Sequence, residues 1–149
     1  GVACLIWNSD CYRRAFELAG NSPYLTMKMC VGCWLESDSF GDLYQDIEEF
    51  VKADKLPIIH FRNVSGQLPY FEETLLEDGY ADMYQIMKVI VRSSFDGYLN
   101  IDHPFFNEDG KGFSERSAAY YTGYMKALLH CAEAEEKKKL NSMYPSVFR

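Results

Sequence analysis

Apolar residues in this chain recur at two alternating spacings, and the alternation sets out its elements. Tyr12, Ala15, Phe16 and Ala19 repeat at three- and four-residue intervals, which puts them on one helix face. Asn8 or Ser9 can cap that helix, and Gly20-Asn21-Ser22-Pro23 stops it. A strand follows over residues 24–30. Leu43, Ile47, Phe50 and Val51 return to helical spacing and predict a helix over 42–53. Residues 56–61 are a continuous apolar run, as expected for a strand buried on both faces. Met83, Ile86, Met87 and Ile90 mark a helix over 81–92, and a third strand is read over 97–101. A last helix, over 114–140, carries Ala118, Tyr121, Met125, Leu128 and Leu129 inward, ahead of an irregular tail.

Strand, loop and helix thus recur three times, and residues 2–7 read as the stub of a fourth strand. Such alternation calls for a parallel sheet and an α/β fold. Closing a barrel takes about eight strands, so the repeats read as (β/α) units of a partial TIM barrel, about half of one. The chain is expected to be a single domain over 1–149. The loop over 63–79 is long and acidic, which favours a functional loop over a plain connector.

Composition narrows the partners. Aromatics reach 15%, which suits a packed core or a lined cavity and argues against disorder. Net charge is -7 and no basic stripe interleaves with aromatics, so nucleic acid is not an expected partner. The one lysine run, Lys137-Lys138-Lys139, follows Glu133, Glu135 and Glu136 and pairs with them along a helix face. No apolar run approaches the roughly 20 residues that span a bilayer. The chain starts at Gly1 with no basic leader, and its cysteines number 5, an odd count. A disulfide framework is therefore a poor reading and a reducing cytoplasm the expected compartment.

The chemistry gathers at strand ends. Met29-Cys30-Val31-Gly32-Cys33, Ile59-His60-Phe61-Arg62-Asn63 and Asn100-Ile101-Asp102-His103 each close an apolar run with groups that bind metals or move protons. A thiolate, an imidazole and a carboxylate from three successive strands suggest one transition-metal site at the carboxyl rim of the sheet. Cys30-Val31-Gly32-Cys33 has thioredoxin-like spacing, but no helix is expected before Ser39, so redox and zinc-knuckle readings are set aside. Glu72-Glu73 and Glu77-Asp78 read as a solvated loop. Trp34 and Phe105-Phe106 could line a substrate cavity or pack against a neighbouring subunit.

Taken in order, these segments resemble the mannonate dehydratase family, a branch of the xylose-isomerase-like barrels. The resemblance runs from about Tyr12 to Leu129, through Asn21-Ser22-Pro23, Met29-Cys30-Val31-Gly32, His60-Phe61-Arg62-Asn63-Val64, Phe71-Glu72-Glu73, Asp102-His103 and Gly123-Tyr124-Met125-Lys126. It implies the C-terminal half of such a barrel. It implies a divalent metal held by Cys30, His60 and Asp102, manganese before iron, cobalt or zinc. It also implies Arg62 and Asn63 near a sugar-acid substrate, with His103 and Tyr120 as catalytic residues. The implied reaction is dehydration of a sugar acid such as D-mannonate to 2-keto-3-deoxygluconate. The family draws a further ligand histidine from the preceding strand, and residues 2–7 hold none. Its tyrosine at the start of the last helix aligns near Ala119, one place from Tyr120. The chain alone is therefore expected to have little activity. A sugar isomerase or epimerase of the same barrel group, or a non-catalytic fragment that self-associates into homo-oligomers, are the alternatives.

Overall fold

The computed structural model describes residues 4–102 and 115–143. Among these, the elements run α1 Ser9–Leu18, β1 Lys28–Cys30, α2 Val31–Leu35, α3 Leu43–Lys52, β2 Ile58–His60, α4 Met83–Arg92, β3 Tyr98–Asn100 and α5 Glu115–Met143.

Short polar side chains fix where three helices begin. Asn8 Oδ1 accepts the Cys11 amide at 2.9 Å. Asp42 accepts the amides of Tyr44 and Gln45, and Asp82 those of Tyr84 and Gln85, at 3.0 and 3.1 Å in each case. Each such cap is worth about 1 kcal/mol. The starts of α1 and α3 fall where sequence places them, and α4 begins slightly later. Two differences are larger. The five-residue α2 follows β1 directly, so a helix does begin before Ser39. Its single turn is too short to leave a periodic signature. In addition, α5 runs on to Met143, into the stretch expected to be irregular.

All three strands are parallel, in the order β1-β2-β3. Met29 pairs with Ile59 and Ile59 with Leu99, while Cys30 pairs with His60 and His60 with Asn100. Each ladder is three residues long, shorter than the apolar runs suggest. Beyond the ladders, pairing continues only through single bonds, such as the Met27 amide to the Lys55 carbonyl at 2.8 Å. Residues 4–7, part of the expected fourth strand, form none, and residues 2 and 3 lie outside the described residues.

Alternation along the strands separates two faces. Met29 and Ile59 are fully buried against the helices, in one core with Ile47, Phe50, Met87 and Met125. Burying such a side chain stabilises by about 1.5–3 kcal/mol. The opposite face is more open: Ile58 and His60 are half-buried, and Tyr98 is 77% exposed. The 56–61 run is thus covered on one face rather than both. Among the described residues, α4 packs against α5 and α3.

Trp34 is buried in this core, not in a cavity wall or a subunit contact. It stacks on Tyr12, lies against Phe40, and donates its indole N–H to Asp46 at 2.8 Å. Asp46 also pairs with Arg13 of α1, so one carboxylate ties α1, α2 and α3 together. Among the described residues, no helix is long and apolar enough to cross a membrane.

Candidate functional site

Parallel strands present their carboxyl ends at one rim. Cys30 ends β1 and His60 ends β2, in register, and Asp102 lies two residues beyond Asn100, the end of β3. Even spacing from Asn100 keeps Asp102 on the same face. Its carboxylate bridges the other two groups. One oxygen lies 2.8 Å from His60 Nδ1, and the other accepts the Cys30 thiol at 3.3 Å. The three side chains are thus in mutual reach through Asp102. Their contacts are hydrogen bonds: among the described residues, no three His, Cys, Asp or Glu side chains are spaced as ligands around one point.

Arg62 packs beside them. Its Nη1 donates to Cys30 Sγ at 3.7 Å, and its Nε lies 4.0 Å from Asp102. Glu73 grips the guanidinium with both oxygens, through Nε at 2.7 Å and through Nη2. Glu36 pairs with Nη2 at 2.7 Å, and the Phe71 ring lies 5.9 Å away. Burial by itself lowers the Arg62 pKa, but the hydrogen bonds to Glu73, Cys30 and Glu36 outweigh it and raise the pKa, so the group stays charged. Cys30 is held down to about 7, first by a hydrogen bond from Cys33, against burial, with Arg62 adding to the effect. Cys33 is pushed up, first by its bond to Cys30 and then by burial.

Gly32 makes room for this arrangement. A Cβ there would stand 2.5 Å from Arg62 Nη1. Gly32→Ala is therefore expected to push the guanidinium off Cys30. Because Arg62 lowers the Cys30 pKa, its displacement raises it. The pH at which Cys30 alkylates at half its maximal rate should move upward from about 7. An unchanged alkylation profile would show that Arg62 accommodates the methyl group.

Asn63 works differently from its neighbour. It is fully buried, with Nδ2 donating to the carbonyls of Leu76 and Ala81 at 2.8 and 3.0 Å. Its Oδ1 accepts the amides of Val64 and Ala81 at 3.0 and 3.4 Å. The amide is spent on closing the long acidic loop. Asn63→Leu leaves those groups unpartnered, at about 1–3 kcal/mol each, and should lower the thermal midpoint markedly.

Arg62, Glu73, Thr74, Asp102 and Tyr121 wall a niche of about 10 Å³, together with Asn63. That is room for about one water molecule. Thr74 Oγ1 is buried there with no partner among the described residues, at the edge of the site. Tyr121, 4% exposed, reaches this niche, whereas Tyr120 is 44% exposed and donates its hydroxyl to Glu77. The helical period that sets Tyr121 inward with Met125 is the sequence signal for it. Glu36 and Thr74 carry no such signal, and Glu73, expected in a solvated loop, is paired with buried Arg62 instead. They arrive from α2's end and the acidic loop, and only the folded chain brings them to Arg62. His103, Phe105 and Phe106 lie outside the described residues.

The donor set suits a divalent transition metal in kind and in charge. It offers a thiol that ionises near neutrality, an imidazole and a carboxylate. Around them, the Arg62 guanidinium faces the carboxylates of Glu36, Glu73 and Asp102.

Comparison with known proteins adds a family. The model for D-mannonate dehydratase (UxuA) matches residues 1–139. A mannonate dehydratase of Lactococcus lactis subsp. cremoris (strain MG1363) is 34% identical over 120 residues, covering 72% of this chain and 33% of its own. One of Geobacillus thermodenitrificans (strain NG80-2) is 25% identical over 148 residues, covering 93% and 38%. The crystal structure of mannonate dehydratase from Streptococcus suis serotype 2 superposes with a TM-score of 0.74, at 22% identity. That match covers 87% of this chain and 38% of the other, and shows a shared fold. The chain spans 33% to 38% of the length of these relatives.

Proposed function

The chain belongs to the mannonate dehydratase family, and on that premise we propose that it supplies part of a metal-dependent hydro-lyase site for a sugar acid such as D-mannonate. The observation that carries the reading is Asp102, whose two oxygens join His60 and Cys30 from three neighbouring strand ends. In this reading the parallel sheet is part of a xylose-isomerase-like barrel, and the remainder of the barrel completes the site. Residues 1–149 act as one domain, in a reducing cytoplasm.

Cys30, His60 and Asp102 would hold the metal, manganese first among the candidates. When bound, the ion would polarise a hydroxyl and the carboxylate of the sugar acid as a Lewis acid. Arg62 anchors the substrate carboxylate. Its present partners, Glu73 and Glu36, are carboxylates held in the same fashion, so a substrate carboxylate competes for a site already shaped for that group. Asn63 acts through the loop it closes. His103 moves the proton that elimination of water displaces, a role imidazoles commonly fill. Tyr121 assists from the niche beside Asp102, next in the chain to Tyr120, to which the resemblance gave a catalytic role.

Manganese titration of the purified chain tests the reading, with turnover of D-mannonate measured alongside. One bound ion per chain, weakened about 10- to 100-fold or more by His60→Ala, is the expected result, with little or no turnover from the chain alone. Absence of specific manganese binding would overturn the metal assignment. Steady manganese-dependent formation of the 2-keto-3-deoxy product, lost in His60→Ala, would show that the chain needs no further barrel.

The open sheet face supports a second reading, self-association. Parallel sheets occur almost only with both faces covered, and here Tyr98 stands largely in solvent. Two copies packing these faces together would cover them. Light scattering at a mass well above 17.2 kDa is expected, and a monomer at high concentration would exclude it.

A further inference from the structure

Cys33 is not needed by the proposed metal site, yet it sits against it. Cys30 is the N-cap of α2 and Cys33 lies one turn on, within the same helix. Cys33 is the neighbour that most strongly lowers the Cys30 pKa, and both cysteines are free. Residues three apart on a helix stand about 5–6 Å apart at Cβ, and a disulfide wants about 3.5–4.5 Å. Cys30 has extended backbone, φ -100 and ψ 112, so it stands outside the helical geometry and has the freedom to close that gap. Gly32, between them, adds no side chain to resist closure. Cys33 is only half-buried, which gives an oxidant an approach. The other cysteines, Cys4, Cys11 and Cys131, are well separated from this pair in sequence.

We propose that Cys30 and Cys33 form a reversible intramolecular disulfide by exchange with a small-molecule disulfide such as oxidised glutathione. In the first step one protein thiolate attacks a sulfur of the oxidant, forming a mixed disulfide and releasing one glutathione thiolate. The second cysteine gives its proton to solvent and attacks the protein sulfur of that mixed disulfide, releasing the second glutathione. The protein loses two electrons and two protons, and one oxidised glutathione becomes two reduced ones. On the reading that Cys30 is a metal ligand, closing this bond removes a donor from the site, so the same exchange would switch metal binding off.

Tryptic cleavage after Lys28 and Lys52 leaves both cysteines, and no other, in one peptide. The intact chain is incubated with oxidised glutathione, quenched, labelled with a maleimide and digested. Labels on this peptide should fall from two to none, with a mass lower by two hydrogens, and dithiothreitol should restore both. In Cys33→Ser the peptide should instead stop at a glutathione adduct or keep its single label. Two labels persisting, or a stable glutathione adduct in the unaltered chain, would overturn the proposal. Manganese titration of reduced and oxidised chain separates the two readings. A disulfide that forms without changing manganese binding leaves this inference standing and removes Cys30 from the metal site.

Discussion

Asp102→Ala is expected to abolish specific manganese binding, with a larger effect than loss of either neighbour alone. The carboxylate touches both His60 and Cys30, at 2.8 and 3.3 Å, and it also lies 4.0 Å from Arg62. Removing it takes away a proposed ligand. It also takes away the hydrogen bond that orients the His60 ring. Groups that orient a ligand typically matter 10- to 100-fold, and here both roles sit on one side chain. Asp102→Asn is the informative companion, because it keeps the shape and loses the charge. It should weaken binding less than Ala does, yet far more than a surface change. Isothermal titration with manganese measures both. Equal, unaltered affinity in the two variants would remove Asp102 from the site. Because Asp102 raises the Cys30 pKa, both variants should also lower the pH at which Cys30 ionises, and alkylation rates report that shift.

The largest effect on stability should come from Asp46→Leu. This carboxylate is 2% exposed and holds Arg13 of α1 and the Trp34 indole at once. Breaking a buried ion pair by removing one partner costs about 3–5 kcal/mol. Arg13 is partly exposed and keeps Asp10 and Glu49 as partners, which reduces the cost. The orphaned indole N–H adds to it, at about 1–3 kcal/mol. The sum, about 3 kcal/mol or more, is a large share of the 5–15 kcal/mol that holds an ordinary domain together. Urea unfolding followed by Trp fluorescence would show it directly. A midpoint within error of the unaltered chain would mean that α1, α2 and α3 stay docked without this group.

The starts of α1 and α3 were legible because single residues decide them. Asp42 and Asp82 each precede an apolar repeat, and each caps two amides. Strand lengths were less legible, because pairing depends on a neighbour that sequence does not display. The apolar run 24–30 continues before Lys28, but its ladder does not. The short α2 escaped notice because one turn has no period to detect. At the site, Cys30, His60 and Asp102 were readable from their places at three strand ends. The partners of Arg62 were not, because Glu36 shows no pattern of its own and Glu73, 11 residues on, reads from sequence as part of a solvated loop. Asn63 illustrates the opposite case. Beside a site arginine it looks like a ligand group, yet its bonds run 13 and 18 residues onward to Leu76 and Ala81.

The middle strand sets one alignment that serves two purposes. Ile59 pairs between Met29 and Leu99 in the core, and the very next residue, His60, pairs between Cys30 and Asn100 at the rim. A slip of β2 by a single residue would exchange their faces, driving the imidazole into the hydrocarbon interior and setting isoleucine beside Asp102. The cost of burying His60 and exposing Ile59 then penalises every misregistered arrangement. The folding energy thereby proofreads the chemistry. Any population of this chain that has hidden Ile59 has also delivered His60 to Asp102, and no separate device is required to check it.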